Sequence, residues 1–566
     1  MAKAAVIRRG YAGAAGRQIH YRIAGSGPPL ILFHQSPRSS AEYVPLIEQW
    51  AEFFTVIAPD TPGYGASDPL AGPEVPEMPD FAAAMEDFLD NIGVERAAIY
   101  GFHTGASLVV ALAARAPAKV AVAVANGLAL LEPQERDDIL QHYLPDFEAA
   151  WDGSHLAWLW ARMREQVIFF PWYDRRNETR LSYAMREPGE IDAQILDMLW
   201  AGDHYAAAYR AAFTFDRSAL ARVRGPLTVM AAPTDPLAGH LDRLGDLLAA
   251  VTIDRPESRE AVIGRALEVL MEAELADAPP LAESSASGAE ISRGYVGVAG
   301  GGAQIHYRRA GEAGSEKVFL LHDLYSGSRV LEDEISWLAP DHNVIALDLP
   351  GHGQSDDLPT GEKPTPAAYG DWLAEAVEEL GAGPVKIIAF GLSAAVALAL
   401  AERLGDRVRR LVLADSGLPT EAYCDEFRAR TLPDLTPNEH GGHLLAGWRF
   451  ARSGALFWPW FREDIPGIRP IDGDIEPGKL HRRFVALWEC RAREREPSPL
   501  FFASLLSVLA KDQMRDFPLC WVHAAWASGM EGMEKPWTAG NGDDFCYADE
   551  SSAARLGALT DALSGG

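Results

Sequence analysis

Cysteine and positive charge are both scarce in this sequence. Its 566 residues include only four cysteines, all in the second half, and no two of them have a C-x-x-C spacing. This argues against a disulfide framework or a zinc ribbon and is typical of a protein from a reducing cytoplasm. Only 51 basic residues stand against 80 acidic ones, which gives a formal net charge of -29. Such a surface repels phosphate backbones and anionic lipid heads, so we expect no nucleic-acid and no membrane partner.

Long hydrophobic runs are also missing. The first ten residues, MAKAAVIRRG, contain no apolar region of the signal-peptide type, and runs such as Val109–Ala114 are too short to span a bilayer. We therefore expect a cytoplasmic protein. The chain is 48% hydrophobic, and its length is sufficient for two domains that each bury a core.

The sequence contains an internal repeat. Residues 56–65, VIAPDTPGYG, recur as residues 344–353, VIALDLPGHG, at an offset of 288. The same offset relates residues 144–173 to residues 432–461, where eleven of thirty positions are identical. Chance does not produce such agreement, so the chain is a tandem duplication.

The repeat predicts the domain organisation. Residues 278–290, APPLAESSASGAE, are rich in Pro, Ala, Ser and Gly and form a predicted linker between domains 1–277 and 291–566. In each half, short apolar runs alternate with helical stretches, which predicts an α/β fold with a mainly parallel sheet flanked by helices. Aromatic-rich helical stretches at about 130–215 and about 419–510 interrupt this alternation, and we interpret each as a cap inserted over the sheet.

Several motifs follow one another in the same order in both halves. In the first half, His34 follows a strand, residues 60–67 read D-x-P-G-x-G-x-S, and residues 101–105, GFHTG, lie on a strand-to-helix turn. The second half repeats them at residues 322–323, 348–355 and 391–395. Together these motifs resemble a capped α/β-hydrolase, and the resemblance covers nearly the whole of both halves. It implies a nucleophile elbow at the strand-to-helix turn, which lifts one side chain above the sheet.

The first half departs from the family pattern at the elbow. His103 stands where the family usually has Ser, Asp or Cys, while Asp235 follows the strand Leu227–Ala232 at the place of the family's acid. The late histidine of the family is absent, because residues 251–257 contain Asp254 and Arg255 instead. We predict that His103 and Asp235 are catalytic, with the imidazole close enough to the carboxylate for a hydrogen bond, direct or through one water.

The second half departs in a different way. Ser393 is its predicted elbow nucleophile, but Ala527 stands at the place of the acid and no histidine follows His523. Asp415, at the end of a strand, is a predicted displaced acid whose counterpart in the first half is Asn126. A serine without a base is a poor nucleophile, so we expect a decayed or scaffold site. His443 or His322 could still supply the base.

Backbone amides and cap residues complete the predicted sites. The amide after the elbow residue and one from the histidine turn would form an oxyanion hole. The repeated cap histidines, His155 and His443, face the pocket or cap a helix, and both interpretations remain open. The resemblance implies that His34 and His322, which begin the oxyanion turns, are usually structural, and we favour that interpretation over substrate binding. The predicted oxyanion-hole residues are Gln35 and Thr104 in the first half and Asp323 and Ala394 in the second, and the predicted substrate-binding residues are His34, His155, Trp160, His240 and His443.

Two classes of function remain open. An Asp-oriented histidine over an oxyanion hole is a competent general base, which favours a hydrolase-like enzyme for a small, mainly apolar ester, lactone or diketone. Lyase or isomerase chemistry with His103 as general base is an alternative, and so is a non-catalytic pseudo-hydrolase that binds small ligands. No H-x-x-x-H spacing supports a metal site, and no cofactor is predicted. We expect a small-molecule substrate as partner, with an intramolecular pseudo-dimer or a homodimer as a further possibility.

Overall fold

The computed structural model describes most of the chain and divides it into two units. Described are residues 5–14, 16–247, 251–281, 290–381, 383–415, 418–419, 430, 432–464, 468–469, 471, 474–490, 519–524, 533–534, 543–547 and 552–564. By its internal contacts, one unit comprises residues 1–148 and 158–289, and the other comprises residues 149–157 and 290–566. Of the predicted linker, residues 282–289 lie outside the described residues.

The first unit is built on a sheet of eight strands. They are β1 (Arg8–Ala14), β2 (Arg17–Ala24), β3 (Pro29–Phe33), β4 (Thr55–Pro59), β5 (Ala97–Phe102), β6 (Val120–Asn126), β7 (Leu227–Met230) and β8 (Val251–Asp254). Their order in the sheet is β1-β2-β4-β3-β5-β6-β7-β8, and all pairs from β4 to β8 are parallel. Every residue of β3, β4 and β6 is buried, as expected for parallel strands covered on both faces.

Two groups of helices accompany this sheet. Three connect successive strands between β3 and β6, and one follows β8. They are α1 (Val44–Trp50), α2 (Met78–Asn91), α3 (Thr104–Arg115) and α8 (Arg259–Met271). Four more lie between β6 and β7, namely α4 (Pro133–His142), α5 (Ser154–Ile168), α6 (Pro188–Ala201) and α7 (Tyr205–Phe213). We call the second group the inserted helices. Several helices begin with a proline in the first turn and an acidic capping box, as α2, α4 and α6 do.

The second unit repeats this architecture. Its strands are β9 (Ser292–Val298), β10 (Ala303–Ala310), β11 (Lys317–Leu321), β12 (Asn343–Leu347), β13 (Val385–Phe390), β14 (Val408–Ala414), β15 (Leu519–Ala524) and β16 (Asp543–Tyr547). They follow the order β9-β10-β12-β11-β13-β14-β15-β16, which is that of the first sheet. The helices are α9 (Glu332–Leu338), α10 (Pro366–Glu379), α11 (Ala394–Leu404), α12 (Gly442–Leu456), α13 (Pro477–Glu489) and α14 (Ser552–Ser564). The predicted α/β fold with two mainly parallel sheets is confirmed.

Strand pairing shows which positions of the two halves are equivalent. In the first sheet Phe33 pairs with Gly101, and in the second Leu321 pairs with Ala389. Both members of the second pair lie 288 residues after those of the first. Strands β6 and β14 keep the same offset, since they span Val120–Asn126 and Val408–Ala414. Positions around the elbow can therefore be compared directly by adding 288.

The repeated aspartate of the D-x-P-G motif has a structural role in each sheet. In the first unit the Asp60 carboxylate bonds the Nδ1 of His20 at 2.8 Å and accepts the amide of Ser40 at 2.7 Å. In the second unit Asp348 bonds the Nδ1 of His306 at 2.7 Å. Because both carboxylates are almost fully buried, these hydrogen bonds satisfy groups that would otherwise be costly to bury.

The turn after β5 is so tight that Gly105 has no room for a side chain. A Cβ at this position would lie 1.9 Å from the carbonyl oxygen of Phe33, a backbone atom of the central strand β3. We expect Gly105→Ala to lower the free energy of unfolding of this unit by roughly 3 kcal/mol or more. Chemical denaturation measures it. Gly189→Ala is the control, because nothing lies within 4 Å of its added Cβ, and equal stability of the two variants would contradict the prediction.

Candidate active site

The strand-to-helix turn of the first unit holds His103 in a strained conformation. His103 follows β5 and precedes α3 with φ 49° and ψ -107°, a region that residues other than glycine rarely adopt. Such a conformation costs of order 1–3 kcal/mol and persists only where the surroundings enforce it. The elbow geometry expected from the sequence is therefore present, and it carries a histidine.

The imidazole of His103 is bonded to Asp235. Its Nε2 lies 3.0 Å from Oδ2 and 3.2 Å from Oδ1 of the carboxylate. The His103 side chain is 24% exposed, whereas that of Asp235 is only 8% exposed. The histidine therefore reaches solvent-accessible space, while the carboxylate behind it is shielded. The structure thus brings together two residues that are 132 positions apart, and their catalytic roles stay a prediction.

The environment of Asp235 keeps its carboxylate ionised. Burial alone would raise its pKa, but the charge and hydrogen bond of His103, the amide of Leu237 and the charge of Arg259 together hold the pKa below its usual value. The Leu237 amide donates to Oδ1 at 2.8 Å. An ionised Asp235 can only accept a hydrogen bond from Nε2, so in the neutral imidazole of His103 the unprotonated nitrogen is Nδ1.

Of the two amides predicted for the oxyanion hole of the first half, that of Gln35 is wrong. Gln35 donates its backbone amide to Oε1 of Glu42 at 2.9 Å, and its side-chain amide bonds Oε2 of the same residue. The next amide, that of Ser36, donates a longer hydrogen bond of 3.4 Å to Oγ1 of Thr104. Thr104 is the first residue of α3, where the helix geometry leaves the backbone amide without an intrahelical partner. The amides of Ser36 and Thr104 therefore form the candidate hole.

The predicted elbow serine of the second half is also wrong. The residue equivalent to His103 is Gly391, which has a positive φ of 58°, whereas Ser393 is equivalent to Gly105. Ser393 is fully buried, and its hydroxyl lies 2.8 Å from the carbonyl oxygen of Phe390 and 3.1 Å from that of Leu321. The 288-residue offset could have revealed this from the sequence, but the G-x-S pattern suggested a register two residues later.

A carboxylate occupies the elbow volume in the second unit. A Cβ at Gly391 would lie 2.3 Å from Cγ of Asp323, so the Asp323 side chain fills the space that an elbow side chain would take. Its Oδ1 accepts the amides of Leu324 at 2.8 Å and Leu392 at 2.7 Å. These residues are equivalent to Ser36 and Thr104. Ala394 was therefore wrongly predicted as a hole residue, since its amide bonds carbonyls of the turn.

The second unit thus shows which kind of group the two amides of this turn bind. Two backbone amides converge on one oxygen of an anion, which is the arrangement that an oxyanion hole requires. In this unit the anion belongs to the protein itself. In the first unit, the residue equivalent to Asp323 is Gln35, whose side chain turns away toward Glu42.

Asp415 does not act as an acid beside an elbow side chain. It is equivalent to Gly127 rather than to Asn126, because Ala414 and Asn126 both end their strands. Its carboxylate pairs with Nε of Arg555 at 3.0 Å. In the first unit the glycine is needed, since a Cβ at Gly127 would lie 2.5 Å from Cδ2 of His103.

The predicted histidines of the two oxyanion turns are structural. Nδ1 of His34 bonds the carbonyl oxygen of Gln35 at 2.8 Å, and its Nε2 accepts the amide of Thr61 at 2.8 Å. His322 makes the equivalent two bonds, and both rings are almost completely buried. The prediction of His34 as a substrate-binding residue is therefore wrong, and His322 cannot supply a base.

The repeated cap histidines fix local backbone. Nδ1 of His155 accepts the amide of Ala150 at 3.1 Å, and Nδ1 of His443 accepts the amide of Asn438 at 3.3 Å. Each bond spans five residues and joins the first turn of a helix to the segment before it. Of the two interpretations left open by the sequence, the structure favours the backbone bond. Residues 149–157, which include His155, group with the second unit.

His240 is the predicted substrate-binding residue whose surroundings include the His103–Asp235 pair. Its Nδ1 accepts the amide of Leu130 at 2.9 Å, so the proton is on Nε2. Burial and the charge of Arg243 lower its pKa to about 4, which keeps the ring neutral. The charges of Asp235 and His103 also act on this pKa, which places His240 near the pair. Trp160 is almost fully buried within α5.

Asp323 should make the stability of the second unit depend on pH. Burial raises its pKa to about 6, and the nearby charge of Asp415 adds to the increase. The folded state therefore binds this proton more tightly than the unfolded chain, and stability is lost as the pH rises from about 4 to about 6. We expect Asp323→Asn to be more stable than the wild type at pH 7 and to lose that advantage near pH 4.5.

Urea unfolding at the two pH values tests this. Asp341→Asn, which removes an exposed acidic side chain of the same unit, is the control for the loss of one surface charge. An advantage of Asp323→Asn that stays constant between pH 4.5 and pH 7 would contradict the assignment of a raised pKa to Asp323.

Metal-ligand clusters and membrane-spanning helices are both absent from the described part of the chain. There, no three His, Cys, Asp or Glu side chains are grouped so that they could hold a metal ion. Within the same residues, no helix is both long and apolar enough to cross a bilayer.

Comparison with known proteins identifies the same fold in each half. A model of the alpha/beta hydrolase fold family matches residues 28–156 and again residues 318–439. A soluble epoxide hydrolase of Corynebacterium sp. (strain C12) is 37% identical over 94 residues, which are 16% of this chain and 32% of that protein. Carboxylesterase YbfK of Bacillus subtilis is 28% identical over 207 residues, or 34% of this chain and 69% of that protein. The chain thus spans about a third of the epoxide hydrolase.

Solved structures are similar to one half of the chain at a time. The enol-lactonase from Burkholderia xenovorans has 18% sequence identity and a TM-score of 0.35, and covers 46% of this chain and 99% of its own. The B. subtilis carboxylesterase structure has 22% identity and a TM-score of 0.34, and covers 47% and 92%. With the family match in both halves and two sheets of one strand order, the chain carries the α/β-hydrolase fold twice.

Proposed function

We propose that the first unit is a hydrolase-like enzyme that acts on a small, mainly apolar carbonyl compound such as an ester or a lactone. His103 would be the general base, Asp235 would orient it, and the amides of Ser36 and Thr104 would hold the oxyanion. The second unit would not catalyse this reaction.

The strained elbow histidine is the observation that carries the proposal. Both units need a positive φ at this turn, and the second unit meets the need with Gly391, the residue that adopts it at least cost. The first unit instead keeps a β-carbon and an imidazole there at a cost of order 1–3 kcal/mol. Strain that is retained in one copy and relieved in the other indicates that the first copy uses the side chain.

The proposed reaction begins with water. Nδ1 of His103 takes a proton from a water molecule while the water oxygen bonds to the carbonyl carbon of the substrate. The electron pair of the carbonyl moves to its oxygen, which the amides of Ser36 and Thr104 stabilise. When the intermediate collapses, the bond to the leaving oxygen breaks and that oxygen receives the proton from Nδ1. Asp235 stabilises the imidazolium that exists between these two steps.

The second unit lacks two parts of this apparatus. Gly391 provides no elbow side chain, and the carboxylate of Asp323 already occupies the amides that would receive an oxyanion. A substrate oxyanion would have to displace a buried anion from the same two donors. These observations support a structural role for the second unit.

Turnover of short esters tests the proposal. The purified full chain is assayed with p-nitrophenyl acetate, p-nitrophenyl butyrate and small lactones. Hydrolysis above the buffer rate supports the proposed function. No turnover of any of them, together with a rise in melting temperature on addition of small hydrophobic ligands, would instead identify a binding protein.

A further inference from the structure

An arginine begins the helix that follows the turn where the family's late histidine would stand. Arg259 is the first residue of α8, directly after the turn that follows β8. Its guanidinium carbon lies 5.7 Å from the centre of the Tyr183 ring, within the range of a cation–π interaction. The Tyr183 hydroxyl donates to the carbonyl oxygen of Thr234 at 2.8 Å. Because Thr234 immediately precedes Asp235, these contacts place Arg259 at the edge of the His103–Asp235 pair.

A second arginine belongs to the same group. Arg186 lies three residues after Tyr183 and is half-buried. Burial lowers its pKa, and the charges of Arg38 and Arg259 lower it further, with only partial compensation from Glu190 and Glu42. At Arg186 the charges of Arg38 and Arg259 therefore outweigh those of the two carboxylates. Together, Arg186 and Arg259 form what we call the arginine pair.

The arginine pair differs from its cationic neighbour Arg38. Arg38 is neutralised by Asp197, whose Oδ2 lies 2.6 Å from its Nε. For Arg186 and Arg259 the described residues provide no carboxylate within ion-pair distance, although both cations influence the same tyrosine beside Asp235. Arg259 is exposed and Arg186 is half-buried, and two like charges of this kind are stabilised by an anion between them. Their planar donors match a carboxylate with two parallel hydrogen bonds.

We propose that the arginine pair is a subsite for a carboxylate of the substrate, so that His103 acts on a carbonyl compound that also carries a carboxylate. This inference rests on the proposed function and specifies its substrate class. The local positive field would also explain how a chain with a net charge of -29 admits an anion to this site. The reacting carbonyl would lie over the amides of Ser36 and Thr104, with the carboxylate end toward Tyr183.

A pair of substrates that differ only in one charge tests the subsite. Monoethyl succinate and diethyl succinate present the same ester bond, but only the former is an anion. We expect the wild type to prefer the monoester in kcat/KM, and Arg186→Gln and Arg259→Gln each to lower that preference at least tenfold, mainly through KM. Arg255→Gln is the matched control, because Arg255 lies in the same turn and pairs with Asp242 at 2.6 Å. It should keep the wild-type preference.

The outcomes separate this inference from the proposed function. Hydrolysis of both esters with no preference for the anion, or a preference that survives in both arginine variants, would overturn the subsite and leave the hydrolase intact. If neither ester is turned over, calorimetric titration of His103→Ala with monoethyl succinate decides. Binding that is lost in His103→Ala/Arg186→Gln supports the subsite, and absence of binding to His103→Ala overturns it.

Discussion

His103→Ala is expected to lower kcat/KM for ester hydrolysis by roughly 10³-fold or more, because it removes the base that activates water. The variant keeps the Ser36 and Thr104 amides, so a small residual rate above the buffer reaction should remain. Its expected effect lies mainly in kcat, since the imidazole acts on the reacting water and the oxyanion binds elsewhere. Steady-state kinetics on the best ester of the panel provide the measurement.

Two controls make the His103 result specific. His142→Ala removes an exposed histidine of α4 whose Nδ1 bonds only the carbonyl and carboxylate of Asp138, and it should leave the kinetics unchanged. Ser393→Ala should also leave them unchanged, because that hydroxyl bonds backbone carbonyls and not a substrate. Wild-type activity in His103→Ala would refute the proposed mechanism, and loss of activity in Ser393→Ala would move the chemistry to the second unit.

Asp235→Asn is expected to lower kcat by about 10²- to 10³-fold with little change in KM. An asparagine can bond Nε2 of His103 through its amide nitrogen, which favours the tautomer with the proton on Nδ1 and removes the base. It also provides no negative charge to stabilise the imidazolium. The size of the variant side chain is unchanged, so the elbow and the amides of Ser36 and Thr104 should stay in place.

The control for this variant is Asp242→Asn, which removes an exposed carboxylate of the same unit that pairs with Arg255. Its kinetics should match the wild type. If Asp235→Asn retained full kcat, the 3.0 Å contact between His103 and Asp235 would have only a structural role, and another residue would have to orient the base.

The geometry of the two strand-to-helix turns, after β5 and after β13, could be predicted only in part from the sequence. The motif around residues 101–105 indicated a strand-to-helix turn, and the structure has one there, between β5 and α3, because glycines before and after His103 permit a sharp reversal. In the second half, the same reasoning selected Ser393 because its hydroxyl resembles a nucleophile. The sheet register places Gly391 at the elbow instead, so the chemistry of a side chain was a weaker guide than the repeat offset.

The backbone amides of the oxyanion hole could not be predicted from the sequence for a different reason. Every non-proline residue has a backbone amide, so the sequence cannot show which amide can receive an oxyanion. Gln35 was excluded by the 2.9 Å hydrogen bond from its amide to Glu42, whereas the Ser36 amide makes a longer bond of 3.4 Å to Thr104. The contact between Arg259 and Tyr183 was likewise invisible, because the two residues come from the inserted segment and from the start of α8 and meet only in the folded unit.

By itself the sequence determined the duplication, the α/β architecture of both halves and the presence of a histidine where a nucleophile is expected, because these depend on local periodicity and on a repeat that can be read along one chain. The tertiary structure alone decided which groups face that histidine. Asp235 is brought to His103 from 132 residues away, and Asp323 fills the equivalent amides in the second unit. Both outcomes depend on where strands end and turns fold back, because side-chain contacts at the edge of a sheet are set by register and packing.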